Sequence, residues 1–186
     1  MINWQDINYL KSGNEKQQRA YNCLKNLQLL EKLSSFNSIL VGTIPIEIDI
    51  ATSDLDVVCQ YSNQAEFATC VKENFEEQTD FTLHSTQDYL VASFVAYDFA
   101  IEIYGEKHSV FEQNAFRHMV IEHRLLTLAS AHFKEQIIAL KEKGVKTEPA
   151  FGQLLGLANP YVDLLGLEVK SDEELEKLLK CKGFLK

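Results

Sequence analysis

Two aspartates, Asp54 and Asp56, stand two residues apart where a run rich in β-branched residues begins, in the sequence DLDVVC. Because successive side chains of a strand point to opposite faces, the two carboxylates would lie on the same side of a strand here. Carboxylates this close can share a hard cation such as Mg²⁺, which takes oxygen ligands. The pair therefore predicts a Mg²⁺ site, and a solvated strand entry is the alternative that a D-x-D pattern alone leaves open.

A glycine turn precedes this pair along the chain. Gly42 and Thr43 follow the apolar run SILV, and a glycine beside a small hydroxyl residue lets backbone N–H groups approach a phosphate closely. Ser53 adds a hydroxyl directly before the first aspartate. We therefore predict that Gly42, Thr43 and Ser53 bind phosphate groups.

Another acidic residue, Glu102, lies in an apolar run that predicts a strand over residues 99–105. Phe99, Ile101 and Ile103 alternate onto one face of this strand, and Glu102 stands on the other face. A carboxylate on an otherwise buried strand needs a partner. Glu102 is therefore a candidate for the same metal site.

The stretch from Gly42 to Asp56 contains no Lys or Arg, so the positive charge that a phosphate ligand requires must come from elsewhere. Arg117 and Arg124 stand seven residues apart on one face of a predicted helix, and Lys146 precedes a helix start whose free N–H groups suit an anion. These residues are candidate phosphate ligands. Ion pairs within their own helix, for the arginines, and a simple helix cap, for Lys146, are the alternatives.

The elements that must position these residues are predicted from hydrophobic spacing, turn residues and helix caps. In chain order they are a helix at 14–33 with a capping box at Asn14, strands at 38–42 and 55–61, a helix after Asn63, strands at 81–86, 89–97 and 99–105, and helices from Ser109 onward, one of which starts at Ser171. Short connections make the last three strands antiparallel neighbours, so the sheet is mixed. The predicted fold class is α/β (α+β): residues 1–108 form a core with a mixed β-sheet flanked by helices, and residues 109–186 form an all-helical region packed on it.

The composition restricts the classes of partner. The chain has 186 residues, 46% of them hydrophobic, which suits one domain with a substantial core. Its net charge of -9 disfavours an extended nucleic acid as partner and favours a small molecule. No apolar run reaches the length of a membrane span, and the N-terminus lacks the pattern of a signal peptide, so the sequence predicts a cytoplasmic protein.

The order of these motifs resembles that of the nucleotidyltransferase superfamily, which includes DNA polymerase β. The superfamily pattern is a hydrophobic residue followed by Gly and then Gly or Ser, a spacer, Asp-x-Asp/Glu opening a strand, and a third acid between hydrophobic residues on a later strand. The matching residues here are Val41-Gly42-Thr43, Asp54-Leu55-Asp56-Val57 and Ile101-Glu102-Ile103. More narrowly, GTIPIEIDIATSDLDVVC, NAFRHMVIEHRLL and KTEPAFGQLLGLANPY look like a small bacterial family of uncharacterised proteins, a domain of unknown function within that superfamily.

The resemblance implies a chemistry for each motif. Asp54 and Asp56 would hold one or two Mg²⁺, and Glu102 would ligate the second ion or take the proton from an acceptor hydroxyl. Gly42 and Thr43 would hold the triphosphate of an NTP, whose nucleoside monophosphate passes to an unknown acceptor with pyrophosphate leaving. Thr43 departs from the usual Gly or Ser, and Glu102 is longer than the usual Asp.

Two other functions remain open. A nucleotidyltransferase fold that has lost catalysis would bind a nucleotide, a metabolite or a protein, and it would tolerate the absence of nearby basic residues. The D-x-D-x-V string at residues 54–58 also fits metal-dependent phosphatases of the haloacid dehalogenase type, but their nucleophilic Asp follows a hydrophobic strand, whereas Ala51-Thr52-Ser53 precede Asp54. Asp49 matches no superfamily position, and its role is not predicted.

Overall fold

The computed structural model describes residues 2–186, which divide into two compact units. The first unit contains the residues up to Glu47 together with Ser53–Phe116, and the second contains Ile48–Thr52 together with Arg117–Lys186. The predicted boundary at residue 108 lies within the first unit. The packing of the helical region on the core stays a prediction.

The first unit is built on a mixed five-stranded sheet in the order β1-β2-β5-β4-β3. Its strands are β1 (Ile39–Val41), β2 (Leu55–Gln60), β3 (Thr79–Ser85), β4 (Tyr89–Ala96) and β5 (Phe99–Glu106). β2 and β5 run parallel, and the other neighbouring pairs are antiparallel. The predicted α+β fold class with a mixed sheet is confirmed.

The turn between β4 and β5 is tighter than the sequence predicts. Tyr97 and Asp98 both have a left-handed φ, 49° and 65°, as a two-residue type I′ hairpin turn requires. Tyr97 therefore lies outside β4, although the predicted strand at 89–97 included it, and it is 57% exposed.

The long helix predicted near the N-terminus is interrupted at Gln28. Helix α1 (Glu15–Leu27) ends there because Gln28 adopts a left-handed φ of 52°, and the short helix α2 (Leu29–Lys32) follows. The break changes the direction in which the following side chains point, and both Leu29 and Leu33 are fully buried. A continuous hydrophobic period could not reveal this change of direction.

Helices α1 and α3 (Gln64–Phe75) share a hydrophobic core with one face of the sheet. Phe75 stacks on Phe94 of β4, with ring centroids 5.3 Å apart. Gly105 of β5 permits close packing, because a Cβ there would lie 2.2 Å from the ring of Phe67 in α3. The parallel strand pair is therefore supported directly by α3.

The buried amide of Gln17 connects α1 to the segment after the glycine turn through hydrogen bonds. Its Nε2 donates to the carbonyl oxygens of Ile44 at 2.9 Å and Pro45 at 3.4 Å. Its Oε1 accepts from the N–H of Asn14 at 3.0 Å, which completes the predicted capping box. One side chain thus joins the start of the helix to the chain that follows Gly42 and Thr43.

We expect Gln17→Leu to lower the free energy of unfolding by about 2 kcal/mol, because it removes several hydrogen bonds of a buried group. The measurement is urea denaturation. Gln18→Leu is the matched control: Gln18 is exposed, its Nε2 donates to the carbonyl oxygen of Gly13, and we expect a change within about 0.5 kcal/mol. Equal losses in the two variants would contradict the role given to Gln17.

Five α-helices follow the sheet. They are α4 (Asn114–Leu128), α5 (Ala131–Glu142), α6 (Thr147–Leu155), α7 (Pro160–Asp163) and α8 (Asp172–Cys181). The predicted helix start at Ser109 is wrong: the N–H of Glu112 donates to the Ser109 carbonyl oxygen at 2.8 Å in a turn, and the helix begins later. Ser171 caps α8 as predicted. None of the helices within residues 2–186 combines the length and apolar character that crossing a membrane requires.

Candidate active site

Asp56 and Glu102 lie side by side on the two parallel strands of the sheet. Their Cα atoms are register partners between β2 and β5, and neighbouring strands lie about 4.8 Å apart. The preceding register pair, Leu55 and Ile101, is buried in the core of the first unit. Because side chains alternate along a strand, the two carboxylates leave the sheet on the opposite face, next to each other.

Asp54 directly precedes β2 and acts electrostatically on Glu102. Glu102 as a whole residue is exposed to solvent, but its carboxyl group is partly buried. This partial burial, and then repulsion from Asp54, raise the pKa of Glu102. A nearby cation or a bound proton would relieve both effects. Asp54 is therefore close enough to Glu102 to act on its carboxyl group.

Gly42 lies against the carboxylate of Asp56. Its φ of +84° is left-handed, and a Cβ at this position would lie 2.4 Å from Oδ2 of Asp56. Val41, the residue before it, is the register partner of Asp56 across β1 and β2. Glycine suits this position because it adopts a left-handed φ readily and because it has no Cβ that would clash with the Asp56 carboxylate. The glycine turn and the acidic cluster are therefore adjacent.

A hydrogen bond between two hydroxyl groups closes the segment that connects β1 to β2. Oγ1 of Thr43 donates to Oγ of Ser53 at 3.2 Å, and both side chains are half-buried. The bond joins the residue after Gly42 to the residue before Asp54. The glycine turn and the start of β2 are thus tied to each other at this point as well.

We expect Thr43→Val to lower the free energy of unfolding by about 1 kcal/mol, because it preserves the shape of the side chain and removes the hydroxyl. Thr43→Ser keeps the hydroxyl and serves as the control, with little change expected in the same urea denaturation experiment. A loss confined to Thr43→Ser would show that the β-methyl group, rather than the hydrogen bond, stabilises this segment.

The donor set fits a hard divalent cation. Carboxylate oxygens are the ligands that Mg²⁺ prefers, and Asp56 and Glu102 present theirs from adjacent strands. Backbone N–H groups at a glycine turn can receive a phosphate, and Gly42 places such a turn beside the same carboxylates. The arrangement can therefore bring a cation and a phosphate together.

Arg117 and Arg124 have acidic partners in the second unit. Arg117 binds Glu168 with two guanidinium nitrogens, with Nη2 and Oε2 2.6 Å apart. Arg124 donates to Asp172 at 2.6 Å and to the Lys170 carbonyl oxygen at 2.7 Å. These partners come from distant residues rather than from the same helix. Phosphate binding by the two arginines stays a prediction, and it would require each to exchange a carboxylate for a phosphate.

Lys146 and Asp49 also belong to the second unit. Lys146 directly precedes α6, and its side chain is exposed, so its predicted phosphate contact stays a prediction. Asp49 is half-buried and follows Ile48, whose carbonyl oxygen accepts from the buried Nζ of Lys141 at 2.7 Å. The short internal segment that carries Asp49 is therefore anchored within the second unit.

A second polar group, which sequence reasoning missed, lies in the second unit. His118, Glu122 and Glu148 each offer one potential ligand atom, and these atoms lie within 4.8 Å of one another. His118 and Glu122 are four residues apart on α4, a spacing that places both on one helix face and that was visible in the sequence. Glu148 comes from α6, and no local pattern connects the two helices.

A protein-family model described as a domain of unknown function (DUF4269) matches residues 22–167. The chain belongs to this family. The matched region of this DUF4269 protein includes the glycine turn at Gly42 and the three acidic residues of the candidate site. No curated protein matches the chain.

The fold of this DUF4269 protein is that of nucleotidyltransferases. Cid1 poly(U) polymerase with MgGTP bound is similar at a TM-score of 0.59 and 14% identity over 76% of this chain. A cytoplasmic RNA terminal U-transferase has a TM-score of 0.56 and 12% identity over 83%, and a chain of the GLD-2/RNP-8 complex has 0.55 and 13% over 90%. The DUF4269 chain spans 49% and 46% of the first two chains, about half of each, and 78% of the third. At these identities the similarity shows the fold alone.

Proposed function

We propose that this DUF4269 protein is a Mg²⁺-dependent nucleotidyltransferase that transfers a nucleoside monophosphate from an NTP to an acceptor hydroxyl. The observation that carries the proposal is the register of β2 and β5, which places the carboxylates of Asp56 and Glu102 side by side, with Gly42 against the first of them. Carboxylates that can hold a cation, beside a turn that can receive a phosphate, are the parts that displacement at phosphorus requires.

Each residue of the cluster has a role in this reaction. Asp54 and Asp56 hold Mg²⁺, and the turn at Gly42 and Thr43 holds the triphosphate through backbone N–H groups. Glu102, whose pKa is raised by burial and by Asp54, ligates a second Mg²⁺ or accepts the proton of the acceptor hydroxyl. Mg²⁺ held by these residues would supply positive charge that neutralises the phosphates.

Solved structures of similar fold support this class of substrate. Cid1 has been solved with MgGTP, with MgATP as a mutant, with the UTP analogue UMPNPP and with its short product ApU. The acceptor of the DUF4269 protein is a separate question. Its net charge of -9 opposes binding to an extended polyphosphate backbone and favours a small acceptor.

The proposal is tested by thermal unfolding of the chain with each common NTP at millimolar Mg²⁺. A ligand that binds only the folded state must raise Tm, by an amount equivalent to about 2.7 kcal/mol at a concentration of a hundred times its Kd. Transfer is then measured with α-phosphate-labelled NTPs and candidate acceptors. Asp54→Ala/Asp56→Ala is the control variant. No rise in Tm with any NTP, or an equal rise in the double variant, would exclude the proposal.

A nucleotide-binding protein without transfer activity is the second candidate. Two observations favour it: the stretch from Gly42 to Asp56 has no Lys or Arg, and the guanidinium group of Arg117 is engaged by Glu168. This candidate predicts the same rise in Tm with Mg²⁺ and NTP but no release of pyrophosphate with any acceptor. The two assays together therefore distinguish binding from transfer.

A further inference from the structure

The second unit contains a buried polar cluster formed by His118, Glu122 and Glu148. His118 and Glu122 share one face of α4 and are only 7% and 4% exposed. Glu148 lies in the first turn of α6 and is half-buried. One potential ligand atom from each residue lies within 4.8 Å of the other two. None of the three belongs to the unit that carries the acidic cluster of β2 and β5.

Two polar atoms of this cluster, Nδ1 of His118 and Oε1 of Glu122, have no hydrogen-bond partner in the part of the chain that the structure describes. Both atoms are shielded from solvent, and leaving a buried polar atom unpaired costs about 1–3 kcal/mol. Buried polar side-chain atoms in native proteins are in large majority satisfied. Two unsatisfied atoms in the same cluster therefore point to a bound group between them.

The charges of the cluster also favour a cation. Burial raises the pKa of Glu122 well above its usual value, and repulsion from Glu148 adds to this effect. Burial lowers the pKa of His118, against the opposing effects of Glu148 and Glu168. Nδ1 of His118, which has no hydrogen-bond partner among the described residues, is the ring nitrogen that can offer a lone pair to a cation. A divalent cation would accept that lone pair and neutralise both carboxylates of the cluster.

Lys141 and Arg117 are positive groups that already act on this cluster, Lys141 on Glu122 and Arg117 on His118. The charge of Lys141 favours the ionised form of Glu122, in opposition to burial. Its Nζ is itself buried and donates to the carbonyl oxygen of Ile48 at 2.7 Å, and Oε1 of Glu122 remains unpaired beside it. Lys141 therefore reduces the charge imbalance without satisfying the unpaired atoms of the cluster.

We propose that His118, Glu122 and Glu148 bind a divalent transition-metal ion of the Zn²⁺ type. A mixed set of imidazole and carboxylate ligands suits Zn²⁺, Mn²⁺ and Fe²⁺, whereas Mg²⁺ and Ca²⁺ take oxygen ligands. Residues at i and i+4 on α4 present two ligands from one helix face, and α6 supplies the third. The ion would link α4 to α6 within the second unit.

The test is equilibrium Zn²⁺ binding to the full chain, measured by competition with a chromophoric chelator. The background is Cys70→Ser/Cys181→Ser, because these are the two cysteines that are not buried. We expect one Zn²⁺ per chain and, in Glu148→Gln, binding weaker by at least about 100-fold, since loss of an outer-shell partner alone weakens metal sites by 10–100-fold. Glu148→Gln changes a half-buried residue and is expected to leave the fold intact.

Glu135→Gln is the matched control, because Glu135 is an exposed glutamate that also lies beside a histidine, His132. It should bind Zn²⁺ as the background does. Glu122→Gln provides a second variant, which replaces a buried carboxyl group with an amide of the same size and should lose both Zn²⁺ binding and the Zn²⁺-induced rise in Tm. Absence of binding in the background, or unchanged binding in Glu148→Gln, would overturn the proposal. Loss of the ion in Asp54→Ala/Asp56→Ala would also overturn it, by assigning the ion to the other cluster.

Discussion

Asp56→Asn is expected to eliminate the rise in Tm with Mg²⁺ and NTP and to lower nucleotidyl transfer by at least about 10³-fold, equivalent to about 4 kcal/mol. Asp56 is the central residue of the cluster: Val41 and Glu102 are its register partners on either side, and Gly42 lies against its carboxylate. Asparagine keeps the size of the side chain but lacks the charge that holds a divalent cation. The measurements are α-phosphate transfer at saturating NTP and thermal unfolding.

Asp88→Asn is the control for this substitution. Asp88 is exposed in the turn between β3 and β4 of the same unit, so the change alters net charge equally without touching the cluster. We expect both transfer and the rise in Tm to be unaffected. Transfer at the wild-type rate in Asp56→Asn would contradict a catalytic role for the carboxylate pair, whatever fold the chain adopts.

Gly42→Ala is expected to lower nucleotidyl transfer by about 100-fold, the loss that a displacement of roughly 1 Å in a reacting group produces. A Cβ at this position would lie 2.4 Å from Oδ2 of Asp56, so either the turn or the carboxylate must move. Left-handed backbone at alanine also costs about 1–2 kcal/mol, which urea denaturation would detect as lower stability. The substitution thus affects stability and the site together.

Gly144→Ala separates these two effects. Gly144 has nearly the same φ, +87°, but a Cβ there would have no neighbour within 4 Å. We expect Gly144→Ala to lose about 1–2 kcal/mol of stability, which is what left-handed backbone costs an alanine, and to show no loss of transfer. If both variants lose transfer to the same extent, strain and reduced stability would explain the effect, and the contact with Asp56 would not.

Local patterns were sufficient to predict much of the fold and the content of the site. The capping boxes at Asn14 and Ser171 are present because a side chain three residues into a helix meets its cap whatever the tertiary structure. The alternation around Glu102 predicted the face on which it stands. Which strand lies beside it could not be predicted, because register depends on the packing of whole strands.

Interactions between distant residues were beyond local patterns. Arg117 and its partner Glu168 are 51 residues apart in the sequence, so the prediction could only consider acidic residues of the same helix. The same limit applies to His118 and Glu148, which meet only because α4 and α6 pack in one unit. The break at Gln28 could not be predicted for a different reason: the residue with the left-handed φ is a glutamine, which carries no sequence signal for a turn.

The short segment Ile48–Thr52 has a consequence for the evolution of this protein. It belongs to the second unit although its neighbours on both sides belong to the first, so the chain passes between units at 47/48, 52/53 and 116/117. Ile48 is fully buried, and a chain cut after Phe116 would lose Lys141, the donor to its carbonyl oxygen. An exchange of the helical part at a single point after Phe116 would therefore separate Ile48–Thr52 from the rest of the unit to which this segment belongs.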